Sequence, residues 1–321
     1  MMKEIKDIMK KISWSKYYIY FIAVGMIIFC TALNKNFLTG RNIINILTQM
    51  SIITIAAFAE TLLFITGVMD LSIGSTMALT GISSVVVYLN TGSMSLAIIT
   101  AALLGIICNA ISGIVIVKLN MHPFIVTLGT MQIWRGIVLL YTGGVVISKV
   151  GDYNKLGQGR LFGVIPYPII AMFIIMVILW VILKYTKYGR NAFATGGNSE
   201  AARASAINTK RTVLTSFIIA GIFTGIAGVM LMSRMASGLP TAGEGYEMDA
   251  MTAAVIGGTS FTGGIGTAFG TLIGGLIVGI INNILTLMGV QSYVQQILKG
   301  LIIVVAVAID VNSQRKKMQG A

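Results

Sequence analysis

Four ionisable residues lie within or at the edge of long apolar stretches: Glu60, Asp70, Arg135 and Lys299. A charge in hydrocarbon is costly, and it persists where it pairs, faces a cavity or serves transport. Glu60 is placed worst, six residues inside the end of an apolar run. It must be neutral, paired or facing a cavity. Asp70 precedes Leu-Ser-Ile-Gly and can cap the helix that follows. Arg135 can pair with a carboxylate or line a path, and Lys299, near the start of a run, can snorkel outward. Glu60, Asp70 and Arg135 are the candidates for a translocation region. Four scattered charges do not make the pattern of a proton relay.

Other chemistry finds little support. The single histidine, His122, stands beside Pro123 at a helix start and reads as a helix-end residue. Cys30 and Cys108 both fall in apolar runs and read as packing residues, neither a disulfide framework nor a metal set. No GxxxxGK[ST] pattern occurs, so the chain has no phosphate-binding P-loop. Gly257, Gly258, Gly263, Gly264, Gly266 and Gly270 lack a strand-turn-helix context and read as helix breaking and close helix packing. No catalytic, cofactor-binding or metal residue is expected, and the chain is not read as an enzyme.

The elements that position these residues are membrane helices. Of 321 residues, 56% are hydrophobic and 10% charged, with mean hydropathy +0.88. Soluble domains carry about 25% charge. Apolar segments fall near 17–33, 43–66, 73–90, 95–117, 124–141, 168–185, 212–233, 250–258, 266–288 and 294–310. Most have the roughly 20 residues a helix needs to cross ~30 Å of hydrocarbon, and they are continuous rather than alternating, against a β-barrel. The expected fold is an all-α polytopic membrane protein of about ten transmembrane helices, one domain over 1–321. An even count puts 1–16, 186–211 and 311–321 on one side. That side carries 15 Lys and Arg against 6 on the other, so these segments are expected in the cytoplasm. The basic start reads as an anchor rather than a cleaved signal. The net charge of +13 is used for orientation and anionic lipid, not for nucleic acid.

Two segments are then external: 142–167, net basic, and 234–249, which holds Glu244, Glu247 and Asp249. They are either solvated loops or a docking surface for an external protein. Thr66–Ser75 and Gly257–Gly266 form a loose echo, each breaking an apolar run with Gly and hydroxyls; paired breaks can mark a transport path, and no repeat is read from these two.

The stretch from Lys187 to Arg211 is the longest polar interruption. Thr186 to Arg211 holds five Lys or Arg and one acid, Glu200. Asn198 or Ser199 can cap a helix, with Glu200 in its first turn against the positive end of the dipole. It is either an ordinary basic loop or a short helical region gripped by another protein.

The residues of this stretch, YGRNAFATGGNSEAARASAINTKR, resemble the ATPase-contacting loop of the membrane subunits of bacterial ABC sugar importers, the ribose-type permease family. TGVMDLSIGSTMALTG (66–81), PFIVTLGTMQIWRGI (123–137) and the block 239–310 resemble further family segments, in order. The resemblance implies a permease in the bacterial plasma (inner) membrane with both termini cytoplasmic. It implies an ABC ATPase subunit that binds ATP on a separate chain, an external or periplasmic sugar-binding protein, and a second permease subunit, expected as a homodimer. Gly196, Gly197, Asn198, Glu200, Ala201 and Arg203 become the ATPase-coupling positions. The implied cargo is a monosaccharide: a pentose, hexose or related polyol. A related importer of branched-chain amino acids or nucleosides, or an ion-coupled transporter, are the other readings. Two residues depart from the family's pattern. Ala206 stands where Gly is usual, so a different turn backbone is expected there, because Ala resists positive φ. Glu60 stands where a neutral residue is usual.

Overall fold

The computed structural model describes residues 14–319. Its helices follow the apolar runs. They are α1 (Trp14–Leu33), α2 (Gly40–Ile65), α3 (Ile73–Thr91), α4 (Met94–Leu119) and α5 (Pro123–Thr142). Then come a 3-10 turn (Gly151–Asn154), one turn of helix α6 (Lys155–Gln158) and a small antiparallel pair, β1 (Arg160–Leu161) and β2 (Ile165–Pro166), with Leu161 opposite Ile165. The chain continues through α7 (Tyr167–Tyr185), α8 (Lys187–Gly197), α9 (Ser199–Ala204), α10 (Thr209–Met235), α11 (Tyr246–Ile256), α12 (Ala268–Leu287) and α13 (Ser292–Gln319).

All ten apolar segments lie on helices, and the protein is all-α and polytopic. Seven described helices are long and apolar enough to cross a membrane: α2, α3, α4, α5, α7, α10 and α12. α1 and α13 carry shorter apolar stretches, Ile19–Leu33 and Ser292–Val305. The eighth segment forms only the 11-residue α11, about 16 Å long and half a crossing. Of the expected polar termini, residues 1–13 and 320–321 lie outside the described residues, while 14–16 already belong to α1 and 311–319 to α13.

α4 shows how side-chain size sorts the helices. Leu96, Ile99, Leu103, Ile107, Ile111 and Ile114 are exposed along one stripe. Ala97, Ala101, Gly105, Cys108, Ser112 and Gly113 are buried along the other. In water such a stripe would drive association; in lipid it costs nothing, and the small residues let neighbouring backbones approach. A Cβ on Gly105 would strike the Gly221 carbonyl, so α4 and α10 touch backbone to backbone.

α2 is the central helix. Every residue from Met50 to Ile65 is buried, the all-round burial of a helix enclosed by others. Polar groups fasten it to α12. Asn42 and Asn283 exchange amide hydrogen bonds of 2.9 and 2.8 Å, and the Thr61 and Thr271 hydroxyls meet at 2.6 Å. In hydrocarbon such groups have no competing water and hold helices together.

α10 has 27 residues, about 40 Å, and connects two opposite faces. One face carries α8 and α9. At the other, Ser233 accepts from Gly157 N (2.6 Å) and donates to Tyr153 O (2.5 Å), which clamps α6 onto the end of α10. The 142–167 segment, expected as a plain loop, is thus a small folded cap whose Tyr153 is buried. Burial pushes its phenol pKa up.

Candidate translocation region and polar-helix face

The polar stretch folds as two short helices at one end of the bundle. Thr186 caps α8, its hydroxyl accepting from Gly189 N at 3.0 Å. Asn198 caps α9, its Oδ1 accepting from Glu200 N and Ala201 N, both at 3.0 Å. Asn198 therefore does the capping, and Ser199 is the first residue of α9. Glu200, Ala201 and Arg203 are exposed, while Ala202 faces inward. Glu200 and Arg203 pair with each other one turn apart. A pair this exposed adds little stability and leaves both groups available to a partner surface. Tyr188 ties α8 to α10 through a 2.6 Å contact with the Ser216 hydroxyl, and burial raises its phenol pKa.

Ala206 corrects an expectation. It takes φ +61, so the turn keeps a left-handed backbone although the residue is alanine. Two hydrogen bonds fix it: Ala206 N to Arg203 O (2.9 Å) and Ile207 N to Ala202 O (3.0 Å). They close α9 in the pattern that usually selects glycine.

Gly196 serves by lacking a side chain, whereas a Cβ on Gly197 would meet nothing within 4 Å. A Cβ on Gly196 would strike Ile65 O, and one on Gly264 would come within 2.7 Å of Gly197 Cα. Gly264 N also donates to Ile65 O at 3.0 Å. The end of α8 is thus packed against the end of α2 and against the loop after α11. An open cleft of about 480 Å³ lies beside this contact, lined in part by Gly67, Asn120, Asn198, Arg203 and Lys210.

Glu60 and Asp70 meet in the interior. Both are completely buried. After Ile65 the chain turns back into the bundle, so that Asp70 N donates to Glu60 Oε1 at 3.2 Å. Asp70 Oδ1 accepts from Ser72 N (2.7 Å) and the Ser72 hydroxyl (2.6 Å), a local turn two residues ahead of the cap position. Ser72 holds the N-cap of α3, so Asp70 does not cap the helix, contrary to expectation. In the amide orientation its neighbours require, Asn109 donates to Asp70 Oδ2 at 3.2 Å and accepts from Gly221 N at 3.0 Å. Glu60 Oε2 meets no hydrogen-bond partner among the described residues.

Arg135 lies elsewhere. Its Nη1 donates to the Pro240 carbonyl (2.5 Å) and the Ala242 carbonyl (3.0 Å). These carbonyls belong to residues 236–245, which leave the end of α10 and run back into the bundle. There Gly243 meets Gly74: a Cβ on Gly243 would lie 2.5 Å from Gly74 O, and one on Gly74 would strike Gly243 O. α11 starts from this interior point. The loop after α11 returns to Gly196 and Gly197, so α11 covers only the half of the bundle nearer α8. The segment 234–249 is therefore not an outer loop throughout. Asp249 is only 4% exposed, in the first turn of α11. It accepts from Lys299 Nζ (2.9 Å) and Asn282 Nδ2 (3.2 Å), so Lys299 is paired rather than snorkelling.

The segment that meets Gly74 is thus 236–245, while 257–266 meets the other end of the stretch, with Gly264 N bonded to Ile65 O and Met69 and Phe261 packed on one apolar cluster. Gly74, Gly243, Asn109 and Asp249 were missed as site residues. The glycine-acid alternation in Gly243-Glu-Gly-Tyr-Glu-Met-Asp249 is the signal that could have flagged two of them.

Residues 42–307 match the family described as "Branched-chain amino acid transport system / permease component". The chain belongs to this permease family. Among its relatives, the ribose import permease of Bacillus subtilis (strain 168) is 42% identical over 288 residues, 89% of each chain. The ribose import permease of Escherichia coli (strain K12) is 39% identical, over 90% of this chain and 91% of its own. The D-allose transport system permease of the same strain is 38% identical over 92% of both. No solved structure matches.

Proposed function

We propose that this permease is the membrane subunit of an ATP-driven importer that moves a ribose-type monosaccharide into the cytoplasm. The observation that carries the reading is the 42% identity to a ribose import permease across nearly the whole chain. Relatives named for allose and galactose widen the cargo to pentoses and hexoses. The chain has no P-loop motif, which fits ATP hydrolysis on a separate subunit.

In this reading α8 and α9 are the coupling element that the ATPase grips, with Gly196, Gly197, Asn198, Glu200, Ala201 and Arg203 at the contact. Their face is cytoplasmic, as are both termini, and the cap at 142–167 is external, where a sugar-binding protein delivers cargo. The ten apolar helices make ten passes, one of them composed of residues 236–245 together with α11. Two copies pair to form the path. Glu60, Asp70 and Arg135 belong to the translocation region.

The test is uptake in proteoliposomes holding this permease, its ATPase and its binding protein, with a panel of labelled solutes. ATP-dependent uptake of one pentose or hexose is expected. The family's description names branched-chain amino acids, so uptake of such an amino acid would keep the architecture and move the cargo. No ATP-dependent uptake by an assembled complex would overturn the reading.

A further inference from the structure

One short stretch, residues 65–74, touches the machinery of both faces. Its first end is joined to α8. Gly264 N bonds to Ile65 O at 3.0 Å, Gly196 leaves no room for a Cβ against that carbonyl, and a Cβ on Gly67 would lie 3.6 Å from Gly196 Cα. Its middle is anchored through Asp70, which Glu60 and Asn109 hold from α2 and α4. Its far end, Gly74, lies against Gly243. The segment containing Gly243 is held by Arg135 at Pro240 and Ala242. It is also bridged to the cap, where Ile147 and Gly238 exchange backbone bonds of 3.0 and 2.8 Å.

The two joints share a construction. At each, backbone packs on backbone at glycine; at the Gly74 joint the Glu247 carboxylate closes in beside the contact, where a Gly74 Cβ would strike it. A side chain can absorb a shift by changing rotamer; a close-packed backbone joint passes it on. The stretch is also short, fewer than a dozen residues, while the helices around it are long and separately packed.

We propose that residues 65–74 are the mechanical link that carries displacement of α8 and α9 to the re-entrant segment 236–245, with Gly74, Gly243 and Arg135 as its positioning residues. The link rests on the permease reading and deepens it. It assigns the route by which the ATPase side acts on the far side. A shift of the α8 end moves Ile65 and Gly67, Asp70 is held against independent motion, and Gly74 presses on Gly243. Arg135 keeps 236–245 a single body, so the displacement reaches Gly238 and the cap.

The test uses the complete complex in proteoliposomes and measures solute taken up per ATP hydrolysed. Gly74→Ala crowds the Gly243 joint, and Arg135→Met frees the Pro240 and Ala242 carbonyls without adding an atom at that joint. Gly25→Ala, where a Cβ meets nothing within 4 Å, is the control. Both test variants are expected to hydrolyse ATP while their uptake per ATP falls about tenfold, the scale of a coupling free energy between sites. Arg135→Lys, which keeps one donor, is expected to restore part of the ratio. An unchanged ratio in Gly74→Ala and Arg135→Met would overturn the link. So would equal loss of hydrolysis and uptake, because that is what structural damage alone produces. If Gly74→Ala does not assemble, Arg135→Met and Arg135→Lys decide between the same outcomes. A wild-type complex with no ATP-dependent uptake would sink the permease reading itself, whereas wild-type uptake with unchanged ratios in the variants sinks only the link.

Discussion

The α8–α9 face and the interior crossing of residues 66–74 with 236–245 are built on opposite plans. At the face, exposed side chains stand on two short helices held by caps: Thr186 for α8 and Asn198 for α9. At the crossing backbone meets backbone, and the side chains around it, Glu60, Asp70, Arg135 and Glu247, bond mainly to main-chain N–H and carbonyl groups. A face that meets a partner can vary its side chains without disturbing the fold, because water satisfies whatever is removed. A crossing in the interior has no such reserve, so every atom added or removed is felt by the backbone itself. If the face recognises the ATPase and the crossing transmits its motion, recognition sits where substitution is cheap and transmission where it is not.

This contrast can be broken by measurement. The largest effect is expected at the crossing. Gly243→Ala places a Cβ against Gly74 O at φ +80. It should cost about 4 kcal/mol, combining left-handed strain with overpacking. Thermal unfolding of the purified protein in detergent would show it, and a melting temperature within a degree of wild type would contradict the close contact. Next comes the interior ion pair. Lys299→Met leaves Asp249 buried without its cation and should cost about 3 kcal/mol. Adding Asp249→Asn should recover most of the loss in the same assay. A double variant as unstable as the single one would mean that the pair matters for packing rather than charge. A smaller effect, of opposite sign, is expected at the face. Ala206→Gly relieves φ +61 and should stabilise by about 1 kcal/mol; a lower melting temperature would show that the alanine methyl makes a contact of its own. The smallest change in stability belongs to Glu200→Ala and Arg203→Ala, below about 0.5 kcal/mol for groups this exposed. If they serve the ATPase, uptake should nonetheless uncouple from ATP hydrolysis in both. Wild-type coupling would remove these two residues from the contact.

The sequence made some of this legible and hid the rest, for physical reasons. Helix positions were readable because a run of about twenty apolar residues has few other stable states. The cap of α9 was readable because asparagine before Ser-Glu-Ala-Ala satisfies orphan N–H groups locally. The fold of 234–249 was not. Arg234, Glu244, Glu247 and Asp249 make it as polar as any solvated loop. Only the partners brought in by distant helices, Lys299 and Asn282 to Asp249 and Arg135 to the 240–242 carbonyls, allow it inside. The breaks at 66–75 and 257–266 were readable, but not their partners. Glycine and hydroxyl composition records that a segment bends, not what it bends against. Ala206 shows the converse: a residue preference was read correctly, and two hydrogen bonds of the α9 terminus override it.

The exposed stripe on α4 has a consequence of another kind. From Leu96 to Ile114 it measures about 27 Å along the helix axis, close to the ~30 Å of a bilayer's hydrocarbon. α4 is therefore a thickness gauge. A bilayer a few Å thicker or thinner than this stripe must deform, or α4 must tilt. Because Gly105 and Gly221 lock α4 to α10 without an intervening side chain, tilt in one is tilt in both. The acyl-chain length of the surrounding lipid thus acts on the helix that joins the polar face to the cap, and membrane composition becomes a setting of the protein's resting geometry.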